Sequence, residues 1–145
     1  MKFLGTGSAL PKKVVSNDDL AQVMDTSDEW IRSRTGIGMR HIAVEETTTS
    51  MAVEAAEKAL ADAKISGCEI DLIIAGTISP DYIFPSLACE VQAAIGAKSA
   101  TAFDLSAGCS GFLFALANSK VCSALLEILS AALNALPGRS RDRVT

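Results

Sequence analysis

The residue with the clearest chemical potential is Cys109, within Phe103-Asp104-Leu105-Ser106-Ala107-Gly108-Cys109-Ser110-Gly111-Phe112. The apolar run before it predicts a buried strand, and the apolar pattern after it predicts a helix. A Cys at such a turn lies at the positive end of the helix dipole, which favours the nucleophilic thiolate. The flanking glycines allow a sharp turn and close substrate approach. This arrangement suits acyl transfer, and the alternative is a small buried Cys packed under the helix.

Composition limits the classes of protein that the chain can represent. Its 145 residues are 49% hydrophobic, which predicts a folded globular domain. A net charge of −4 argues against a general nucleic-acid binder. The sequence contains no uninterrupted run of 18 or more apolar residues, so it does not predict a membrane-spanning helix. The apolar stretch at its start is too short for a signal peptide. We therefore expect a cytoplasmic protein with neither nucleic acid nor membrane as a partner.

The four cysteines lack the spacing of a metal site. They are Cys68, Cys89, Cys109 and Cys122, and none forms a CxxC pair. Free thiols in a reducing cytoplasm are the better interpretation. We expect neither a metal nor a cofactor.

Strand and helix patterns alternate along the chain, which predicts an α/β fold with functional residues at the carboxyl ends of strands. Cys109 is at such an end. The predicted elements are a strand over 1–5, a capped helix from Ser16, a short helix from Thr26 ended by the loop 34–38, a helix over 49–64, a strand over 70–76, a loop over 79–85, a helix over 86–95 and a strand over 100–105. The helix over 49–64 has one apolar face, formed by Met51, Ala52, Ala55, Ala59, Leu60 and Ala63.

Several ordered motifs resemble β-ketoacyl-[acyl-carrier-protein] synthase III, one of the thiolase-like condensing enzymes. They are Gly5-Thr6-Gly7-Ser8-Ala9-Leu10-Pro11, Thr26-Ser27-Asp28-Glu29-Trp30-Ile31, Arg34-Thr35-Gly36-Ile37, Arg40-His41-Ile42, Phe84-Pro85-Ser86 and Ala107-Gly108-Cys109-Ser110-Gly111-Phe112. The resemblance covers residues 1–119 and implies the N-terminal half of the thiolase-like fold, a truncated α/β half-domain with a mixed sheet flanked by helices. It makes Cys109 the counterpart of the family's nucleophile.

The resemblance also implies an activity. In this family the Cys takes an acyl group, usually acetyl, from acyl-CoA. The thioester then condenses with malonyl-acyl carrier protein, and carbon dioxide is lost. This step begins fatty-acid synthesis, and the intact enzymes are homodimers.

The family's CoA site corresponds to Thr26, Trp30 and Arg34. Trp30 is expected to stack on adenine and Arg34 to donate hydrogen bonds to the nucleotide, with Thr26 beside it. The alternative for Trp30 is a core anchor of a short helix. Phe84 resembles the residue that crosses the family's dimer interface to line the partner's acyl pocket, and the alternative is ordinary loop packing.

Three other polar residues in these motifs have simpler interpretations. We expect Arg32 and Arg40 to be solvated or salt-bridged rather than ligand-binding. His41 is the only histidine, and its position in the motif implies a structural rather than a catalytic role.

The chain departs from the family pattern after Ser119, so we divide it into a half-domain over 1–119 and a divergent tail over 120–145. One interpretation of the tail is out-of-frame translation, because codons for 131–134 in a shifted frame permit Gly-Ala-Glu. The alternative is a helix from Cys122 to Leu136 ended by Pro137-Gly138. The family's His and Asn come from a second half, so we expect this chain to be unable to complete condensation. Two further functions stay open, an inactive CoA- or acyl-binding remnant and an interaction partner of full-length subunits.

Overall fold

The computed structural model describes residues 2–119, which form two compact units. The larger unit comprises residues 2–9 and 46–119, and the smaller unit comprises residues 10–45. The predicted tail over 120–145 lies outside the described residues. In chain order the elements are β1 (Lys13–Ser16), α1 (Asn17–Ala21), α2 (Asp28–Thr35), β2 (Met39–Ile42), α3 (Thr48–Ala63), a 3-10 turn (Gly67–Glu69), β3 (Leu72–Gly76), α4 (Leu87–Ala94), β4 (Thr101–Leu105), a second 3-10 turn (Gly108–Ser110) and α5 (Gly111–Ser119).

The described strands form two separate two-stranded sheets. In the larger unit β3 and β4 are parallel, with a register from Leu72↔Thr101 to Gly76↔Leu105. In the smaller unit β1 and β2 are antiparallel. The α/β class is confirmed, and the mixed strand directions are divided between two sheets in this part of the chain.

The core of the larger unit lies on both faces of the β3–β4 pair. Ile73 and Ala75 belong to a cluster with buried side chains of α3 and α4. Leu72 and Ile74, which alternate with them, pack with Ala115 of α5. Because successive side chains of a strand point to opposite faces, an uninterrupted apolar run is what a sheet covered on both sides requires.

Helix α3 begins with a capping box. The Thr47 hydroxyl accepts a hydrogen bond from the Ser50 amide, and the Ser50 hydroxyl accepts one from the Thr47 amide. Five of the six predicted face residues are buried, and Ala56 joins them. The predicted apolar face is therefore the buried one, and its small alanine side chains allow neighbouring segments to approach α3 closely.

The strand predicted over 1–5 is wrong for the described residues 2–5, which form no strand. Their partner is α3 rather than another strand. The Thr6 amide donates to Asp62 Oδ2 at 2.8 Å, and a Cβ on Gly5 would lie 2.5 Å from the Ala63 nitrogen. Gly5 and Thr6 make these contacts, whereas the apolar side chains of Phe3 and Leu4 are exposed.

The smaller unit is built from short elements. Ser16 and Ser27 cap α1 and α2 through their side chains, as the sequence predicts. Gly36 ends α2 in the left-handed conformation, with φ of 73°. The strands β1 and β2 were not predicted, because four-residue strands carry little periodic signal. Among residues 2–119, no helix has the length and apolar content that crossing a membrane requires.

Candidate functional site

Cys109 lies in the turn between β4 and α5. The turn is a single 3-10 segment, in which the Ser110 amide donates to the Ala107 carbonyl at 3.1 Å. Gly108 has φ of 52°, a left-handed conformation that a glycine adopts without strain. Cys109 is exposed, so the alternative of a buried Cys under the helix is wrong. An exposed thiol just before a helix start is positioned to react.

Two glycines bring the start of α5 against the end of β3. A Cβ on Gly111 would lie 3.5 Å from the Gly76 Cα, and a Cβ on Gly76 would lie 3.4 Å from the Gly111 carbonyl carbon. Both distances are at or near ordinary contact. The backbone of the Cys109 turn is thus held close to the carboxyl end of the neighbouring strand.

The loop over 77–86 leaves the sheet at the same edge as the Cys109 turn, because it follows β3 and the two strands are parallel. The Thr77 amide donates to the Leu105 carbonyl at 3.2 Å, which joins the starts of the two segments. Phe84 is 90% exposed and Ile83 is 99% exposed. The alternative of ordinary loop packing for Phe84 is therefore wrong within the described residues.

Asp104 is a site-forming residue that the sequence did not identify. It lies on β4, and its carboxylate accepts hydrogen bonds from the Leu87 and Ala88 amides at 2.9 and 2.8 Å. These amides open α4, where the helix dipole favours a negative charge. Asp104 thereby fastens the far end of the 77–86 loop to the strand that leads to Cys109. The one sign in the sequence is that Asp104 interrupts an otherwise apolar predicted strand, where a carboxylate needs hydrogen-bond partners.

Asp81 fastens the middle of the same loop to α3. Its carboxylate accepts hydrogen bonds from the Thr48 and Thr49 amides at 3.2 and 2.7 Å. Partial burial acts to raise the pKa of Asp81, but the hydrogen bonds from Thr49, Thr48 and Thr47 outweigh it, so the pKa lies below its usual value. The ionised form of Asp81 is the one that holds the loop.

This hydrogen bonding predicts a pH dependence of stability. Because the folded-state pKa is lowered, the contribution of Asp81 is complete above its ordinary pKa of 3.8 and is lost as the pH falls through the lower folded value. We expect Asp81→Asn to unfold in urea with a weaker pH dependence below about pH 4 than the wild type. The exposed Asp71→Asn variant is the control and should keep the wild-type dependence. Equal acid sensitivity of wild type and Asp81→Asn would contradict the prediction.

In the smaller unit, Trp30 and Arg34 lie on successive turns of α2. The Arg34 guanidinium lies 4.4 Å from the centre of the Trp30 ring, a cation–π contact that covers one face of the indole. Trp30 is 54% exposed, so the alternative that it is a core anchor is wrong. Thr26 precedes the cap of α2, and its Oγ1 is shielded from solvent without a hydrogen-bond partner among the described residues.

The other polar residues of the motifs have structural partners. Arg32 Nε contacts both carboxylate oxygens of Asp28 at 2.8 Å, so of the two expected states, solvated or salt-bridged, Arg32 has the salt bridge. Arg40 is not simply solvated and forms no salt bridge with the residues that the structure describes; it donates to the carbonyls of Val15 and Ser16 and to Asn17 Oδ1. His41 Nδ1 lies 2.6 Å from the Pro11 carbonyl oxygen, a structural hydrogen bond. In the described part of the chain, no three His, Cys, Asp or Glu side chains are grouped to hold a metal ion.

The site residues thus form two groups. Trp30 and Arg34 are in direct contact within the smaller unit, and Thr26 is close to them in sequence. Cys109 and Phe84 belong to the larger unit, on the two segments that leave one edge of its parallel sheet. The candidate site thus has two parts, an exposed thiol at the carboxyl end of the parallel sheet and an aromatic–guanidinium pair on α2.

Solved structures with the same fold are condensing enzymes. The 3-oxoacyl-[acyl-carrier-protein] synthase III of Aquifex aeolicus matches with a TM-score of 0.80 and 54% identity, over 83% of this chain and 39% of that chain. The priming β-ketosynthase of the R1128 polyketide pathway matches with a TM-score of 0.78 and 40% identity, over 81% and 35%. The described fold is therefore that of a thiolase-like condensing enzyme.

Curated relatives specify the family. β-Ketoacyl-[acyl-carrier-protein] synthase III of Streptococcus suis is 60% identical over 111 residues, which are 77% of this chain and 34% of the relative. Synthase III 1 of Bacillus anthracis is 58% identical over 115 residues, covering 79% and 37%. Over the matched residues the chain belongs to the β-ketoacyl-[acyl-carrier-protein] synthase III family. It spans 34% to 37% of the length of these relatives, and no family model matches it.

Proposed function

We propose that this protein is an acyltransferase that initiates fatty-acid synthesis. Cys109 takes the acyl group of acetyl-CoA, or of another acyl-CoA. Together with the family's second half, which supplies a His and an Asn, it then passes this group to malonyl-acyl carrier protein with loss of carbon dioxide. The observation that carries the proposal is the exposed Cys109 thiol between β4 and the start of α5. The relatives to which the chain is similar are named as β-ketoacyl- or 3-oxoacyl-[acyl-carrier-protein] synthases III, which supports the proposal.

The first step is a thioester exchange. The Cys109 sulphur attacks the carbonyl carbon of the acyl thioester, a new C–S bond forms, and the CoA thiolate leaves and takes up a proton. The amides of Ser110 and Gly111 already donate within the turn. We therefore assign the Cys109 backbone N–H to the carbonyl oxygen, where it stabilises the charge that develops in the transition state.

The second step, for which the family uses a His and an Asn from the second half of the fold, forms a carbon–carbon bond. The carbon freed when malonyl-acyl carrier protein loses carbon dioxide attacks the acyl thioester, and Cys109 leaves as the thiolate. The products are a β-ketoacyl-acyl carrier protein and the free enzyme thiol. A covalent intermediate of this kind gives ping-pong kinetics.

Trp30, Arg34 and Thr26 are proposed to bind the nucleotide end of CoA. Arg34 lies over one face of the indole, so adenine is expected to stack on the other face. The guanidinium edge remains suited to phosphate or ribose oxygens. The shielded Thr26 hydroxyl lacks a protein partner among the described residues, and a ligand atom would satisfy it.

The exposed loop around Phe84 is proposed to meet a second copy of the protein and to line its acyl pocket. Full exposure of Ile83 and near-full exposure of Phe84 support this assignment, because large apolar side chains exposed together mark contact sites. We place the reaction in the cytoplasm, which fits the free state of Cys68, Cys89 and Cys109.

Mass spectrometry tests the first step directly. The protein is incubated with acetyl-CoA, digested, and searched for an acetylated peptide that contains Cys109. An acetyl group on this peptide, and free CoA in equal amount, is the expected result. Acetyl-CoA that binds without forming the adduct would instead support a non-catalytic binding protein.

The Trp30 assignment predicts a loss of CoA affinity. Stacking of a base on an aromatic ring contributes about 1–3 kcal/mol, so Trp30→Ala is expected to raise the dissociation constant of CoA roughly tenfold or more. Arg32→Ala is the matched control on the same helix, because Arg32 is engaged with Asp28, and its effect should be smaller. Isothermal titration with CoA measures both. Similar constants for Trp30→Ala and the wild type would remove Trp30 from the site.

A further inference from the structure

Helix α2 carries Trp30 and Arg34, yet it has little apolar attachment of its own. Ile31 is the one residue of α2 that is buried in the described structure. Trp30 and Arg34 are exposed, and Arg32 points into an ion pair at the surface. Something other than hydrophobic packing must set the position of this helix.

Asn17 of α1 supplies that attachment at the start of α2. It is only 1% exposed, and its Nδ2 donates to Asp28 Oδ1 at 2.7 Å. Asp28 is the first residue of α2. The hydrogen bond from the Asn17 amide is the leading cause of the lowered pKa of Asp28; desolvation opposes it, and the hydrogen bond and charge of Arg32 lower the pKa further. The contact is therefore with an ionised carboxylate.

Asn17 also holds the segment that follows α2. The same Nδ2 donates to the Ile37 carbonyl at 2.8 Å, and the Asn17 backbone amide donates to the Gly38 carbonyl at 3.2 Å. Its Oδ1 accepts a hydrogen bond from Arg40 of β2. A single buried amide thus uses both donors and its acceptor, and contacts the first residue of α2 and the segments that follow α2.

We infer that Asn17 is a positioning residue for nucleotide recognition: by holding both ends of α2 it sets the orientation of the Trp30–Arg34 pair. Its substitution should lower CoA affinity without altering the thiol chemistry at Cys109. This inference rests on the proposed CoA site. The fluorescence test of the inference is independent of that site. Trp30 is the only tryptophan, so its emission reports the surroundings of Trp30 whether or not CoA binds there.

The informative variant is Asn17→Asp, which keeps the size of the side chain and an oxygen for Arg40. It replaces the donor that faces Asp28 with a carboxylate oxygen, so the contact becomes repulsive. A shift of Trp30 emission, greater quenching by acrylamide and a roughly tenfold weaker CoA affinity are expected, since a buried hydrogen bond to a charged group is lost. The KM for acetyl-CoA in Cys109 acylation should rise, whereas the rate at saturation should not change.

Two further variants separate positioning from general loss of stability. Ser16→Ala removes the cap of α1, where the Ser16 hydroxyl accepts from the Asp19 amide at 3.1 Å, and it should leave Trp30 emission and CoA affinity as in the wild type. The double variant Asn17→Asp with Asp28→Asn places an amide opposite the new carboxylate and should recover most of both signals. If Asn17→Asp alone does not fold, the double variant still allows Trp30 emission and CoA affinity to be measured.

The outcomes distinguish the inference from the proposed function. A folded Asn17→Asp protein with wild-type Trp30 emission and CoA affinity overturns the inference. So does a Ser16→Ala protein that changes as much as Asn17→Asp, or a double variant without recovery. If Trp30→Ala has no effect on CoA affinity, the proposed CoA site fails, while the emission of Trp30 still decides whether Asn17 positions α2.

Discussion

Replacement of Cys109 by Ala is expected to abolish transfer of the acetyl group to the protein. No other group on the turn between β4 and α5 can form a thioester, so the adduct should fall roughly 100-fold or more, to the level of random surface acylation. Cys68→Ala is the matched control, because Cys68 is also an exposed free thiol. It should retain full labelling. Quantitative mass spectrometry of the Cys109 and Cys68 peptides after incubation with acetyl-CoA gives both results.

Cys68 and Cys109 are both exposed. A difference in their labelling would therefore report the surroundings of the Cys109 thiol and not its accessibility. Cys68 Sγ lies 2.9 Å from Ser66 Oγ, and Cys89 is half-buried with its sulphur 3.8 Å from the Ala102 carbonyl oxygen. Cys109 is the one of these three that lies in a 3-10 turn leading into a longer helix, α5. In general, the amides at a helix start favour a nearby negative charge. Iodoacetamide at low concentration should therefore alkylate Cys109 first. Equal rates at Cys109 and Cys68 would count against helix-assisted activation.

The elements that position Cys109 could be predicted because their signals are local. The strand before it and the helix after it are read from apolar runs, and the small residues between them mark the turn. The caps of α1 and α2 are likewise predicted from Ser16 and from the Thr26-Ser27 segment, because a serine at a helix start can accept from an amide three residues later. Ser86, predicted only as the start of a helix, caps α4 in the same way. For Arg32 the sequence left a solvated and a salt-bridged state open, and the structure has the salt bridge to Asp28.

Contacts between distant residues could not be predicted. Asp104 bonds to amides 16 and 17 residues before it, and no pattern in one sequence specifies that pairing. Asn17 looked like part of an acidic helix start, yet it is buried because Asp28, Ile37 and Arg40 satisfy it. The predicted strand at the start of the chain is wrong for a related reason, since its partner is a helix 50 residues away or more.

The segment at the start of the chain packs against α3 through two glycines, and substitution of Gly7 is expected to lower stability. Residues 5–8 run along α3, with Gly5 against Ala59 and Ala63 and Gly7 against Ala55 and Ala59. Two residues of extended chain advance about 6.6 Å, and four residues of helix advance about 6 Å. The glycine spacing therefore matches the alanine spacing. Lys58 reinforces the contact by donating to the Ser8 carbonyl at 2.9 Å.

Gly7→Ala is expected to destabilise the protein more than any other single methyl group added to this segment. A Cβ at Gly7 would overlap the Ala55 carbonyl oxygen and lie 2.6 Å from the Ala59 nitrogen, and both are helix backbone atoms that cannot rotate away. Overpacking of this kind costs about 1–3 kcal/mol or more. The exposed neighbour serves as control, because Ser8→Ala leaves the backbone contact to Lys58 in place. Urea unfolding should give a lower midpoint for Gly7→Ala and a wild-type midpoint for Ser8→Ala; coincident curves for all three proteins would mean that the segment does not rest on α3.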